Sequence, residues 1–442
     1  MTGPLAPLAH GVGSAEGLPL PLDLVLQAGA ATVVMSFLIA AFWWRTPRLK
    51  PSEPRRPGMA RWLRYPVLLL VLYVTGLALA GPRDGNPAAH ALFVWLWVGL
   101  IPISVIFGPV WRAVNPLRTI FTLLGLPPRG LRPLPADRKG SSWPAAAFLL
   151  AFVWFELLAP HRGDPVAVGL WILAYGLAQM ILALLRGEEW FARGDCFEVY
   201  SDLAGRLSPL RHRPPLSGLA VTETPSAPSP VPPPAPSLAS PKSKSPATTP
   251  KGKSPATTPK SKGPATTSIR PPLPAAGITG FIAVWWGSTV FDSAAASPLW
   301  TRTAGGAPVL LGTAALALLC TLIFLAVRRT AGHDDLSLVP IAVGYTLAHY
   351  LSLLIIEAPQ GFLLLIGAPT TAWTPDLAPT AITTAQIALI LIGHALGVIV
   401  AHDRSLAATP QRPTLAVLAD ELPMVLFMIA CTWTGLFLLF VR

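Results

Sequence analysis

The sequence predicts an all-α polytopic membrane protein of about ten transmembrane helices, a reading that rests on composition, apolar segment length and the placement of basic residues. The 442 residues are 52% hydrophobic and only 12% charged, against roughly 25% charged in soluble chains. Apolar stretches of about 20 residues recur along the chain, each long enough to cross a hydrocarbon core of roughly 30 Å. Arginine and lysine cluster in alternate loops, as expected of a chain that threads a membrane repeatedly.

Residues 1–23 read as a short outer tail. They lack a basic start, and Pro4, Pro7, Pro19 and Pro21 interrupt any short apolar core, so a cleaved signal peptide is not expected. An N-terminal membrane half, 24–185, holds spans at 24–44, 64–81, 90–110, 143–159 and 166–185. A C-terminal half, 275–442, holds spans at 276–296, 307–327, 338–357, 382–402 and 423–441.

Between the halves lie a cytoplasmic segment, 186–216, and a linker, 217–274. The stretch GEEWFARGDCFEVYSDLAGRLSPL (187–210) mixes charges with aromatics and predicts one or two amphipathic helices on the inner membrane surface. Glu188, Glu189, Asp195 and Glu198 could bind a metal there, but ordinary pairing with Arg193 and Arg206 is expected. After the third span, VWRAVNPLRTIFTLLGLPP predicts another surface helix, with Arg112 and Arg118 at the lipid headgroups. The linker has no Phe, Trp or Tyr, is dense in Pro, Ser, Ala and Thr, and repeats KSPATTPKG, KSPATTPKS and KGPATTS. Such a composition buries too little apolar surface to offset ordering entropy, so the linker is expected to be disordered.

Placing the loops after the first and third spans in the cytoplasm leaves only Arg83, Arg162, Arg302 and Arg442 of the 33 basic residues outside. Both termini are then outside, and the location is the cell membrane. Five spans joined to five through an inner linker run in opposite directions, the arrangement of inverted-repeat transporters. The net charge of +12 is explained by loops facing an anionic inner leaflet, not by nucleic acid. Cys196, Cys320 and Cys431 show neither a disulfide framework nor a zinc spacing. No GxxxxGK[ST], HExxH or GxSxG motif is present.

Ionisable side chains within apolar spans are costly and mark functional positions. His349 and His394 each lie near the middle of a span, at matched depth. Tyr345, His349 and Ser352 follow i, i+4, i+7 and so share one helix stripe, with Glu357 at the outer end. Gly393 and Gly397 flank His394 and permit close approach of a neighbouring helix. In the sixth span GSTVFDS places Ser288, Thr289 and Asp292 in the outer half, and Glu156 occupies a similar depth in the fourth. An outward cavity lined by Glu156, Asp292, His349, Glu357 and His394 would offer a ligand set for zinc or a similar divalent metal. Each histidine could instead simply bond across to a neighbouring helix. The pair His402–Asp403, at a cytoplasmic helix end, reads as a capping cation beside a charged loop.

Seven stretches carry a resemblance: LAHG, VWRAVNPLR, RGDCFEVYSDLAGRLSP, RPPLSGL, GSTVFDS, SLVPIAVGYTLAHYLSLL and GHALGVIVAHDRSL. The chain resembles, over nearly its whole length apart from the linker, polytopic membrane proteins of high-GC Gram-positive bacteria that carry the name fenitrothion hydrolase. That resemblance implies hydrolysis of the phosphorus–oxygen aryl bond of an organophosphorus ester reaching the site from the lipid. His349, His394 and Asp292 fall within the resembling motifs, as do Tyr345, His402 and Asp403. A divalent metal on His349, His394 and Asp292 would activate a bound water for that reaction. Two other readings stand beside it: a transporter or metal-handling permease that binds a small apolar molecule or an ion at the histidines, and a non-catalytic membrane scaffold.

Overall fold

A computed structural model of the chain describes residues 21–51, 61–133, 141–212, 215–220, 275–303, 307–330, 335–376, 378–408 and 414–440. Most of the predicted outer tail and nearly all of the predicted linker lie outside the described residues. Among the described residues all regular secondary structure is helical.

Each predicted span coincides with a helix or a helix pair, yet the helices are not equivalent. Six are long and apolar enough to cross a membrane. These are α1 (Leu22–Trp43), a π-helix (His90–Val98) continuing into α3 (Leu100–Phe107), α7 (Pro165–Arg186), α12 (Pro308–Thr330), α15 (Pro379–Ala408) and α16 (Thr414–Phe440). A seventh arises if α13 (Val339–His349) and α14 (Leu351–Leu365), bent by 63° at Tyr350, count as one span. Two more, α2 (Arg64–Ala80) and α6 (Trp143–Leu158), are apolar but short. The remaining one, α10 (Ala275–Ala295), is not among the apolar helices, because Thr279, Ser288, Thr289, Asp292 and Ser293 lower its hydropathy. It is buried along nearly its whole length against α6, α12, α13 and α16, so lipid is not its solvent.

Helices of the two halves interleave: α1 packs on α15 and α16, and α6 packs on α10. The glycines beside His394 act as the sequence suggests, since a Cβ on Gly393 would come within 2.7 Å of the Pro340 carbonyl and 3.2 Å of Gly344 Cα. They therefore let α15 lie against α13 backbone to backbone.

The eighth span is not a continuous helix. Tyr350 has φ −98° and ψ 11°, outside the helical range, and the axis turns there. Further along α14, Pro359 has no N–H for the Ile355 carbonyl, and Trp373 Nε1 donates to that carbonyl instead, at 2.9 Å. The π-helix holds α14 in its bent direction through Trp95 Nε1, which donates to the Ala358 carbonyl at 2.9 Å.

The largest departure from expectation is the segment read from sequence as lying on the inner membrane surface. Residues 187–210 do not form surface helices: α8 (Phe191–Gly194) and α9 (Cys196–Gly205) are buried and pack against α3, α6 and α13. Tyr200 stacks on Trp97 with ring centroids 4.7 Å apart and meets Trp285 edge-on at 4.6 Å. The charges that suggested a surface are consumed internally. Asp195 caps α9 and accepts from Trp111 Nε1 (3.0 Å), Asn115 Nδ2 (2.7 Å), the Tyr175 hydroxyl (2.7 Å) and Phe197 N (3.0 Å). Burial, then the nearby Glu198, pushes its carboxyl up to about 6, so it is ionised at neutral pH and can accept from all four donors.

Arg118, expected at the headgroups, instead grips Glu198 with two bonds of 2.7 and 2.9 Å and Glu188 with a third at 2.9 Å. It lies on α5 (Pro116–Leu123), capped by Asn115 and following the short α4 (Trp111–Val114). The expected partners are corrected accordingly: Glu188 and Glu198 pair with Arg118, and Arg206 pairs with Asp202 at 3.4 Å. A planar guanidinium suits such a buried bidentate contact better than a solvated headgroup position does.

Asp195→Ala leaves four donors without their acceptor and is expected to cost on the order of 3 kcal/mol or more, read as a fall in the unfolding midpoint of the purified protein in detergent. An unchanged midpoint would show that the inserted segment does not depend on this carboxylate. A pH effect follows from His212, which burial, Arg211 and Arg206 push down to about 4 from an ordinary 6.5. The unfolded chain then binds the extra proton between those two values, so the contribution of His212 to stability is complete above 6.5 and is lost as pH falls toward 4. His212→Gln is expected to flatten the midpoint-versus-pH curve over that window.

Candidate functional site

The polar residues of α10 meet α13 at the point where α13 ends. Asp292 and Ser293 face His349 from consecutive positions: Asp292 Oδ2 lies 2.9 Å from His349 Nε2, and Ser293 Oγ lies 3.0 Å from Nδ1. Ser293 Oγ also sits 2.9 Å from the Tyr345 hydroxyl and 3.2 Å from the Thr289 carbonyl. The Tyr350 hydroxyl donates to Asp292 Oδ2 at 3.1 Å. His349 is fully buried, its ring lying between Tyr345 and Tyr350.

With Asp292 ionised and His349 neutral, Nε2–H and the Tyr350 hydroxyl both donate to Asp292, Ser293 donates to Nδ1, and Tyr345 donates to Ser293. If His349 takes up a proton, Nδ1–H donates to Ser293, whose own hydrogen turns to the Thr289 carbonyl. Both arrangements keep these donors satisfied.

Of the residues singled out from sequence, the structure brings together Asp292, His349 and Tyr345. Glu156, on α6, is buried and lies within Coulombic range of Asp292 and Tyr350. Ser352 lies past the break, its buried hydroxyl lacking a hydrogen-bond partner among the described residues. Glu357 does not line a cavity with His349; it pairs with His90 Nε2 at 2.9 Å, tying α14 to the π-helix. His394 turns to its own helix, with Nδ1 2.8 Å from the Ile390 carbonyl and Nε2 buried without a partner among the described residues. The residues that meet α13 are its neighbours Gly393 and Gly397, so matched depth does not put the two histidines on a shared face.

Asp292 and His349 engage each other directly, and among the described residues no group of three or more His, Cys, Asp or Glu side chains is placed to hold a metal ion. A shallow cleft of about 390 Å³ lies between the turn after α2 and the end of α14, lined by residues such as Tyr73, Asn86 and Leu364 and by none of the dyad residues.

Sequence reasoning missed Ser293, Tyr350, Trp97 and Tyr200. Ser293 could have been found, since it is the last residue of GSTVFDS, one turn beyond Thr289. Tyr200 and Trp97 carry no such signal, because their meeting depends on α9 entering the bundle.

The pair His402–Asp403 is also corrected. It does not cap α15; it clamps the segment after α1. His402 Nε2 donates to the Trp44 carbonyl at 3.0 Å and Nδ1 faces Glu421 Oε2 at 2.8 Å. A carbonyl only accepts, so Nε2 carries a hydrogen, and Nδ1 is left to pair with the Glu421 carboxyl. Asp403 Oδ1 accepts from Trp44 Nε1 (2.8 Å) and from the backbone N–H of Arg48 (2.6 Å) and Leu49 (3.2 Å). Asp403→Ala is expected to raise amide exchange at Arg48 and Leu49 about tenfold or more, with His402→Gln giving a smaller rise. Unaltered exchange in both variants would remove the clamp.

Comparison of the chain with known protein families, with curated proteins and with solved structures finds no match, so the site is read from its own geometry.

Proposed function

We propose that this chain is a proton-coupled membrane permease whose proton station is the Asp292–His349–Ser293 set. The observation that carries the reading is the buried hydrogen-bond set joining Asp292, His349 and Ser293 near the C-terminal ends of α10 and α13, which offers partners to His349 in either protonation state. Buried ionisable side chains within helical membrane bundles mark ion and proton routes. Discontinuous helices such as α13–α14 recur where transporters bind substrate. The reading includes ten crossings in two inverted five-helix halves, both termini outside and basic loops facing anionic lipid. The cargo is an ion or a small apolar molecule.

A hydrolase reading draws on the same residues. Ser293 Oγ on one nitrogen of a histidine whose other nitrogen meets an aspartate has the connectivity of a nucleophile, base and orienter. That arrangement supports the organophosphorus-ester hydrolysis implied by the resemblance. Burial weighs against it: Ser293 is 1% exposed, leaving an incoming phosphorus centre little access.

In proteoliposomes with an internal pH dye and an imposed potassium diffusion potential, wild-type protein is expected to take up protons. Asp292→Asn and His349→Gln are expected to slow uptake at least about 100-fold. Wild-type uptake in both variants would end the permease reading, whereas p-nitroaryl phosphotriester turnover abolished by Ser293→Ala would establish the hydrolase.

A further inference from the structure

The break between α13 and α14 gathers buried oxygens that the dyad does not use. α13 stops at His349, and the last carbonyls of a helix have no N–H of their own helix to accept from. The Thr346 carbonyl is met by the backbone N–H of Tyr350 at 3.0 Å, and the Ala348 carbonyl by Gln386 Nε2 at 3.0 Å. That second bond carries a side chain of α15 into the joint. It also fixes the amide: with Nε2 given to Ala348, Oε1 is the atom left over, buried and with no hydrogen-bond partner among the described residues. Ser352, in the first turn of α14 and four residues after Ala348, holds a second such atom in its buried Oγ. Gln386 is fully buried and Ser352 is 2% exposed, so both oxygens depend on a partner held within the bundle.

The chemistry of that partner follows from the atoms. An amide oxygen can only accept, and a serine hydroxyl can turn its hydrogen aside and present a lone pair. The Ala348 carbonyl keeps a second lone pair beside the one that Gln386 uses. A set of neutral oxygens suits a hard cation. No carboxylate belongs to the set, because Asp292 is engaged by His349 and Tyr350, so a single positive charge fits better than a double one.

Resting on the permease reading for its role, we propose that the α13–α14 joint binds one monovalent alkali cation through Gln386 Oε1, Ser352 Oγ and the Ala348 carbonyl, and that this cation is the cargo. Discontinuous helices are where transporters present backbone carbonyls to such ions. The ligands come from both sides of the 63° bend and from α15, so a turn of α14 about Tyr350 separates Ser352 from the other two oxygens and releases the ion.

Equilibrium binding of radioactive sodium to the full-length protein in detergent tests the site, with choline replacing sodium to hold the ionic strength. Wild type is expected to bind saturably, and sodium is expected to raise its unfolding midpoint above that in choline. Ser352→Ala removes a hydroxyl that bonds nothing among the described residues, so its midpoint in choline is expected to match wild type while its sodium affinity falls at least about tenfold. Gln386→Leu is expected to lose binding, and Gln386→Glu, which keeps an oxygen at that position, to retain it. In proteoliposomes wild type is expected to accumulate the label and Ser352→Ala to lose that accumulation. Absence of saturable binding in wild type, or wild-type affinity in both Ser352→Ala and Gln386→Leu, overturns the site and leaves its oxygens to buried water. If sodium binds as expected but proton uptake continues in Asp292→Asn and His349→Gln, the permease reading falls with the cargo role and the cation site stands. If uptake fails in those two variants while sodium does not bind, the cation inference falls and the permease reading stands.

Discussion

A helix that carries an aspartate and several hydroxyls into an apolar bundle must find their partners within the bundle, since neither lipid nor bulk water will supply them. This constraint on α10 organises the structure. Asp292 and Ser293 are met by His349, Tyr345 and Tyr350, Thr279 bonds Asp335, and the hydroxyls of Ser288 and Thr289 fold back to the Trp285 carbonyl. Trp285 in turn donates to Thr346. The apolar helices around α10 are what allow its own composition to be polar.

The same requirement explains the inserted α8–α9 segment. Asp195 and Glu198 enter the bundle because their bonding capacity is filled by Trp111, Asn115, Tyr175 and Arg118, contributed by α4, α7 and the start of α5. With those charges matched, Phe197, Tyr200 and Leu203 can bury their side chains, and Tyr200 reaches the stack with Trp97 and Trp285. The segment thereby forms one wall of the region that contains Glu156 and the dyad. A surface helix would have left that wall open.

Irregular backbone is concentrated around the same place. The π-helix supplies Trp97, and the α13–α14 break supplies Tyr350; both features recur at functional sites in helical proteins. Neither is free-standing. The π-helix and α14 hold one another through His90–Glu357 and Trp95–Ala358, and Gln386 donates to the Ala348 carbonyl beside the break. The joint at Tyr350 is thus braced on both sides and holds the Tyr350 hydroxyl against Asp292.

Hydropathy alone determined the helical class and the location of each long apolar helix, because burying backbone and side chains in lipid imposes a period and a length that one segment reveals by itself, and it marked His349 and Asp292 as ionisable residues in otherwise apolar stretches. The glycines of α15 were equally legible, since close backbone approach requires a missing Cβ whatever the partner. Which residues meet was decided only by tertiary structure. His394 shares depth with His349 but bonds its own helix, Glu357 turns to His90, and Ser293, hidden in a small-residue run, becomes the partner of Nδ1. The charges of 187–210 indicated a surface when counted along the chain and a core once Arg118, about 80 residues away in sequence, was brought to them. Depth and polarity are properties of one segment, whereas the helix face and bonding partner that make His349 a candidate site depend on residues contributed by others.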